Sequence, residues 1–271
     1  MGVMVKESGV GEVDKAIYVQ TLGRFVVWQD NERLPDNVWG REKARQLFQY
    51  LITFRRRFTI KERIVDDLWP DLDARRSDRD FKVALNALNS ALQPDRPSRT
   101  LSIYIARQGT SYGLNVDAPI GLDINNFEAG LTTASQTEGE NRSQAIAYYQ
   151  AALKLYQGEY LPDTIYDDWS SSERERLAAL YLSGATRLAR RLLDEGATVE
   201  MVLWCQRVIA IDPCWEEAYR LLMRGHMVNG NRPLALREYK QCRAALAEDL
   251  GIEPMAETMR LYEQVVAGET V

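Results

Sequence analysis

Arg75-Arg76-Ser77-Asp78-Arg79-Asp80-Phe81-Lys82-Val83-Ala84-Leu85-Asn86-Ala87-Leu88-Asn89-Ser90-Ala91-Leu92-Gln93 is the stretch on which the fold turns. Taken as a helix it has two chemistries. Phe81, Leu85, Leu88 and Leu92 recur at helical spacing and make an apolar stripe for a core. Arg79, Lys82, Asn86 and Asn89 recur at the same spacing, roughly opposite. Cations of this kind suit phosphates, and amide side chains suit base edges, so these four are the candidate base readers. Arg75, Arg76 and Ser77 at the helix entry are candidate phosphate contacts. A solvated surface helix would show similar periodicity, so the neighbouring segments decide the reading.

Upstream, Tyr18 to Leu22, Phe25 to Trp28, a turn at Asp30-Asn31 and a return through Leu34 read as a small antiparallel sheet. A helix follows from about Arg41 to Phe54, with Ala44, Leu47, Phe48 and Leu51 on one face, and Arg55-Arg56-Arg57 ends it. Thr59 with Glu62 three residues on has the spacing of a capping box opening a helix through Leu68, which Pro70 stops. Downstream, Pro94 and Pro97 mark a loop. Leu101 to Ala106 alternates as a strand, Gln108-Gly109 turns, and Tyr112-Gly113-Leu114 returns. A small sheet, three helices and a hairpin are the layout of a winged helix, whose third helix enters the major groove. Arg41, Lys43, Arg55, Arg56, Arg57 and Lys61 flank the first two helices as candidate backbone clamps. Arg107 and Thr110 bracket the wing turn, and Thr100 and Arg99 stand at the entrance to its first strand. Asp78 and Asp80, near the helix start, would repel phosphate unless paired with a neighbouring arginine or turned towards cytosine.

After Val116 the texture is helical. Ala145, Tyr149, Ala152, Leu153 and Tyr156 share one face; Leu177, Leu180, Tyr181, Gly184 and Leu188 share another. Val202, Gln206 and Ile209 correspond to Ala235, Tyr239 and Cys242 at a shift of 33 residues. A period near this length, with breaks at Asp212-Pro213 and Gly230, resembles tetratricopeptide repeats.

Leu68-Trp69-Pro70-Asp71, the helix Phe81 to Leu92 and the ending Tyr112-Gly113-Leu114 resemble the winged helix of OmpR-type response regulators. They resemble more closely that of the Streptomyces antibiotic regulatory protein (SARP) family. Trp169, Arg174-Glu175-Arg176-Leu177, Ile211-Asp212-Pro213 through Leu221-Leu222-Met223, and Leu246-Ala247-Glu248-Asp249-Leu250-Gly251-Ile252-Glu253-Pro254 resemble the bacterial transcriptional activator domain that follows it. The resemblance implies a mainly α fold with small β-sheets: a tail or linker over 1–16, a winged helix-turn-helix domain over 17–118, and an all-α tetratricopeptide-like domain over 119–271. It implies a sequence-specific transcription activator, bound as a homodimer to direct repeats in double-stranded promoter DNA and recruiting RNA polymerase. The alternative is a protein–protein scaffold whose winged helix no longer binds DNA.

Charge distribution supports the first reading. The net charge of the 271 residues is −5, but Arg41 to Arg107 holds 15 Lys/Arg and 9 Asp/Glu, a net of +6 against −11 elsewhere. A basic segment joined to an acidic remainder suits one domain on DNA and one facing protein. No apolar run has membrane-spanning length, and Lys6, Glu7, Glu12, Asp14 and Lys15 rule out a signal-peptide core at the N-terminus. Cys205, Cys214 and Cys242 lack metal-ligand spacing and read as buried or free thiols of a reducing cytoplasm; the resemblance implies that this cytoplasm is bacterial and the chain nucleoid-associated. Trp39, Trp69 and Trp169 read as packing anchors. His226, the one histidine, has no catalytic partner in the pattern, and no phosphate-binding loop or H-E-x-x-H motif occurs. The expectation is a non-enzyme without cofactor or metal.

Overall fold

Asp30 and Asn31 both adopt positive φ, 50° and 68°, the conformation that a two-residue hairpin needs and that Asp and Asn tolerate. The hairpin joins β2 to β3 in the computed structural model, which describes residues 16–97 and 100–269. The assigned tail, apart from Ala16, and Arg99 lie outside the described residues. Strands β1 (Ile17–Gln20), β2 (Val26–Gln29) and β3 (Glu32–Arg33) run antiparallel as expected. Helices α1 (Glu42–Thr53), α2 (Lys61–Leu68) and α3 (Ala74–Leu92) follow, with β4 (Thr59–Ile60) between the first two. β5 (Ile105–Gln108) and β6 (Ser111–Leu114) form the wing. β7 (Ile120–Leu122) then pairs parallel with β1, giving sheet orders β3-β2-β1-β7 and β4-β6-β5.

Two local expectations are revised. Thr59 does not cap α2: it pairs with Tyr112 in the wing sheet, and the N-cap is Ile60, without a side-chain hydrogen bond. Leu101 is 89% exposed rather than a strand residue. The Gln93 Oε1 atom at the end of α3 accepts from Ile103 N and Ser102 Oγ, 3.0 Å each, so this segment is tied to the helix and pairing starts only at Ile105. β7 itself has no alternation to betray it, being three residues long.

The remaining helices are α4 (Asp123–Thr137), α5 (Arg142–Leu153), α6 (Asp168–Asp194), α7 (Thr198–Ile211), α8 (Glu216–Val228), α9 (Arg232–Asp249) and α10 (Ala256–Ala267). The chain is therefore mainly α with small sheets. It divides into two compact units: residues up to Asp123 with Gly158–Arg174, and Ile124–Gln157 with the residues from Glu175 on.

The segment Gly158–Arg174 is assigned from sequence to the helical domain, yet it completes the first unit. Leu22 bridges Tyr160, and Leu161 N donates to Thr21 O at 2.9 Å. Tyr160 and Leu161 are fully buried, Trp169 packs on Tyr50 at 5.4 Å, and Arg174 donates to the carbonyls of Tyr160 and Thr164. A Cβ on Gly158 (φ +154°) would stand 3.0 Å from Gly23 Cα, so the two backbones can meet only without it. Asp123, 1% exposed, ties the other end: its carboxylate accepts from Thr21 N, Thr21 Oγ1 and Leu22 N at 2.7–2.8 Å.

In the second unit α8 packs against α7 and α9, and α10 against α8 and α9, so the helices from Thr198 on stack as pairs. Met223, Ala235, Leu261 and Val265 form one core cluster; Tyr219, Cys242 and Leu246 form another. A Cβ on Gly225 would meet the terminal methyl of Met201 on α7, so Met201 packs directly over the glycine. Glu216, buried on α8, accepts from Met255 N at 3.0 Å and Thr258 Oγ1 at 2.5 Å, so its carboxylate caps the start of α10.

Candidate nucleic-acid interface

Asp73 starts α3 by accepting from the backbone N–H groups of Arg75 (3.1 Å) and Arg76 (3.0 Å). Phe81 then fixes the helix rotation: its ring meets Trp69 at 6.3 Å and Tyr112 at 5.0 Å, both edge-on. With Phe81, Ala84, Leu88, Ala91 and Leu92 buried, the opposite side faces out. Arg75, Arg79, Lys82 and Asn86 are all exposed there, within one sector of the helix.

Asn89 is not among them. It is 7% exposed and grouped with Leu88 and Leu92. At 3.6 residues per turn it lies only about 80° round from Phe81, against about 140° for Asn86 and about 160° for Arg79. Lys82, at about 100°, escapes burial because its long stem carries the ammonium outward. Ser77 is buried as well, which takes it from the candidate phosphate contacts, whereas Arg75 and Arg76 at the helix entry are exposed.

Other candidates are committed inside the first unit. Lys43 Nζ donates to Leu68 O at 2.6 Å, satisfying a carbonyl at the end of α2, and lies 5.7 Å over the Trp69 ring. Arg55, with its side chain 5% exposed, pairs with Glu173 at 2.7 Å. Both are structural cations rather than clamps. Arg41, Arg56 and Arg57 are exposed, Arg57 resting 4.7 Å over the Phe54 ring. At the wing, Gly109 (φ +60°) makes the turn. Arg107 and Thr110 are exposed beside it, the Arg107 guanidinium donating to Gly109 O at 2.8 Å and lying over Tyr112.

Asp78 is held by two lysines rather than by a neighbouring arginine. Its Oδ1 accepts from Lys61 Nζ and its Oδ2 from Lys82 Nζ, each at 2.7 Å. Hydrogen bonding to Lys61 first, then to Lys82, pulls the carboxyl down to about 2, and the same bond raises Lys61. The Asp78–Lys82 half was visible as an i,i+4 spacing; the Lys61 half depends on how α2 meets α3. Asp80 lies 3.4 Å from Arg79.

Elsewhere, His226 faces Glu238 at 3.5 Å between α8 and α9, both largely shielded. The cysteines are unpaired, and burial pushes the Cys205 and Cys242 thiols up to about 12, which keeps them protonated. Trp39, Trp69 and Trp169 are buried anchors. Among the described residues no helix is long and apolar enough to cross a membrane, and no cluster of His, Cys, Asp and Glu could hold a metal ion.

Fold and site together define a winged-helix protein with a domain of stacked helix pairs. Residues 122–266 match the family model described as bacterial transcriptional activator domain, and the chain belongs to that family, in the SARP-type arrangement its sequence resembles. It is similar to the transcriptional regulatory protein MoaR1 of Mycobacterium tuberculosis, 24% identical over 255 residues that cover 93% of this chain and 79% of MoaR1. It is similar also to the regulatory protein AfsR of Streptomyces coelicolor, 22% identical over 259 residues, 95% of this chain but 25% of AfsR. Among solved structures it is similar to Mycobacterium tuberculosis EmbR in complex with a low affinity phosphopeptide, with a TM-score of 0.82 at 19% identity over 95% of this chain and 66% of that one. At that identity the likeness is one of fold. Family and relatives are those of transcription regulators.

Proposed function

We propose that the chain is a sequence-specific DNA-binding transcription activator of the bacterial cytoplasm. The observation that carries this reading is the exposed sector Arg75, Arg79, Lys82 and Asn86 on a helix whose other side is buried in the core. Such a helix presents guanidinium, ammonium and amide groups to a groove while its backbone is held rigid. Arg79 and Asn86 read base edges, and Lys82 with Lys61, which share Asp78 where α2 meets α3, reach phosphate. Arg41, Arg56, Arg57, Arg75 and Arg76 contact phosphate, and Arg107 and Thr110 place the wing on the flanking groove. Two protomers occupy direct repeats in promoter DNA, and the acidic helical domain presents surface to RNA polymerase. A recruiting contact of ~1.4 kcal/mol raises polymerase occupancy about tenfold where occupancy is low.

Equilibrium binding to duplex DNA across a salt series tests this. With roughly five to eight phosphates neutralised, the log–log slope is about −4 to −7. A flat response overturns DNA binding and leaves the scaffold reading.

A further inference from the structure

We propose that Asp78 is a specificity-determining residue: a built-in stand-in for a DNA phosphate that holds Lys61 and Lys82 in the free protein and so suppresses sequence-blind binding. This rests on the DNA-binding reading above and deepens it. Each carboxylate oxygen takes one lysine at 2.7 Å, the two-point arrangement a phosphate bridging α2 and α3 would adopt. Lys82 is 67% exposed and Asp78 35%, so the tie is made on the solvent side, where a duplex would compete for it. Asp78 stays ionised at any working pH and does not release the lysines by titration. The same helix pairs Asp73 with Arg76 and Asp80 with Arg79, each at 3.4 Å, but only Asp78 holds two cations at charge-assisted distance.

The consequence is a trade. Phosphate attraction is the same for every sequence, so a carboxylate that competes for two phosphate-seeking lysines weakens all complexes by a common amount. Base-edge contacts by Arg79 and Asn86 then make up a larger share of what remains. Discrimination rises because binding to the wrong sequence falls below what is occupied at working concentration.

The test measures the full chain and Asp78→Asn on a random-sequence duplex and on duplexes selected by the wild type from a random pool, across salt. Asp78→Asn should bind the random and the selected duplexes each about tenfold tighter, steepen both slopes by up to about 2 as two lysines reach phosphates, and raise occupancy of the random duplex at a fixed protein concentration, with the ratio of the two affinities near that of the wild type. Asp78→Glu, which keeps the charge, should stay near wild type. Asp80→Asn, the same charge change without a lysine released, should move the slope much less. Lys82→Gln should cost about one unit of slope in the Asp78→Asn background and little in the wild type. Asp78→Ala, read the same way, serves should the Asn variant lose its thermal transition. Wild-type binding with an unchanged or weaker random-duplex affinity in both Asp78→Asn and Asp78→Ala overturns the proposal alone. Absence of salt-dependent binding in wild type and variants overturns the DNA reading and this proposal with it.

Discussion

At the scale of single residues, exposure separates the solvent-facing side of α3 from its packing side, and the two are expected to respond differently to substitution. Arg79→Ala and Asn86→Ala are expected to change which duplexes are selected from a random pool, at about 1–3 kcal/mol for each lost bidentate contact. Arg57→Ala should weaken all duplexes about equally and reduce the salt slope by about 1. Asn89 belongs with neither. Its Oδ1 is buried without a hydrogen-bond partner, so Asn89→Leu should leave sequence preference alone and hold or raise the thermal midpoint. A shift in selected sequence for Asn89→Leu would mean that α3 is rolled differently in the groove. The direction of the Asp78 shift fixes its pH behaviour too. A carboxyl lowered in the folded chain contributes stability above its ordinary range and loses it only as pH falls toward about 2. No change in stability between pH 6 and 8 should trace to it, and comparing wild type with Asp78→Asn by thermal denaturation across that range checks this. That Arg79, Lys82 and Asn86 face solvent was legible from spacing alone. Asn89 was misplaced because four residues at helical spacing still spread around the cylinder, and the rotation is set by what Phe81 touches.

At the scale of elements, the start of a helix depends on which atom reaches its first N–H groups. α3 is started by Asp73, so Asp73→Ala should cost about 1 kcal/mol in urea denaturation. Thr59 has capping-box spacing but spends itself in β4, and its buried Oγ1 is without a partner. Thr59→Val should therefore be neutral or stabilising, and a loss comparable to that of Asp73→Ala would show that Thr59 caps α2 after all. Sequence spacing could not separate these cases, because a capping box and the first residues of a wing strand share the same letters. What decided was the availability of Tyr112 as a strand partner. The longer helices were legible because their apolar period is sustained over several turns. β4 and β7, two and three residues long, carry no period at all.

At the scale of the whole molecule, the apolar pattern changes near Val116 but the core of the first unit does not end there. A fragment over 17–118 lacks Asp123, Tyr160 and Trp169. It leaves the Thr21 and Leu22 N–H groups and the Tyr50 ring without the groups that cover them. Such a fragment should melt at lower temperature and show a broader transition than the full chain, each lost buried hydrogen bond costing about 1–3 kcal/mol. Equal midpoints for the first unit in the two would show that Gly158–Arg174 and Asp123 contribute nothing to it. A separated first unit therefore has to carry Gly158–Arg174 as well as the N-terminal segment.

The sequence by itself determined the longer helices and the two hairpins, their order, the basic N-terminal and acidic C-terminal character, and the residue kinds on the exposed face of α3. All of these follow from local propensity, periodicity and composition, which need no knowledge of distant partners. Only the tertiary structure decided which cations are spent internally. Lys43 lies on the carbonyl end of α2, Arg55 on Glu173 and Lys61 on Asp78. It also decided that a stretch more than 100 residues downstream of β1 closes the first core. The physical reason is the same in each case. A charge or an apolar side chain is paired by whatever the folded chain brings within a few ångströms, and that proximity is a property of the packed elements rather than of the order of residues.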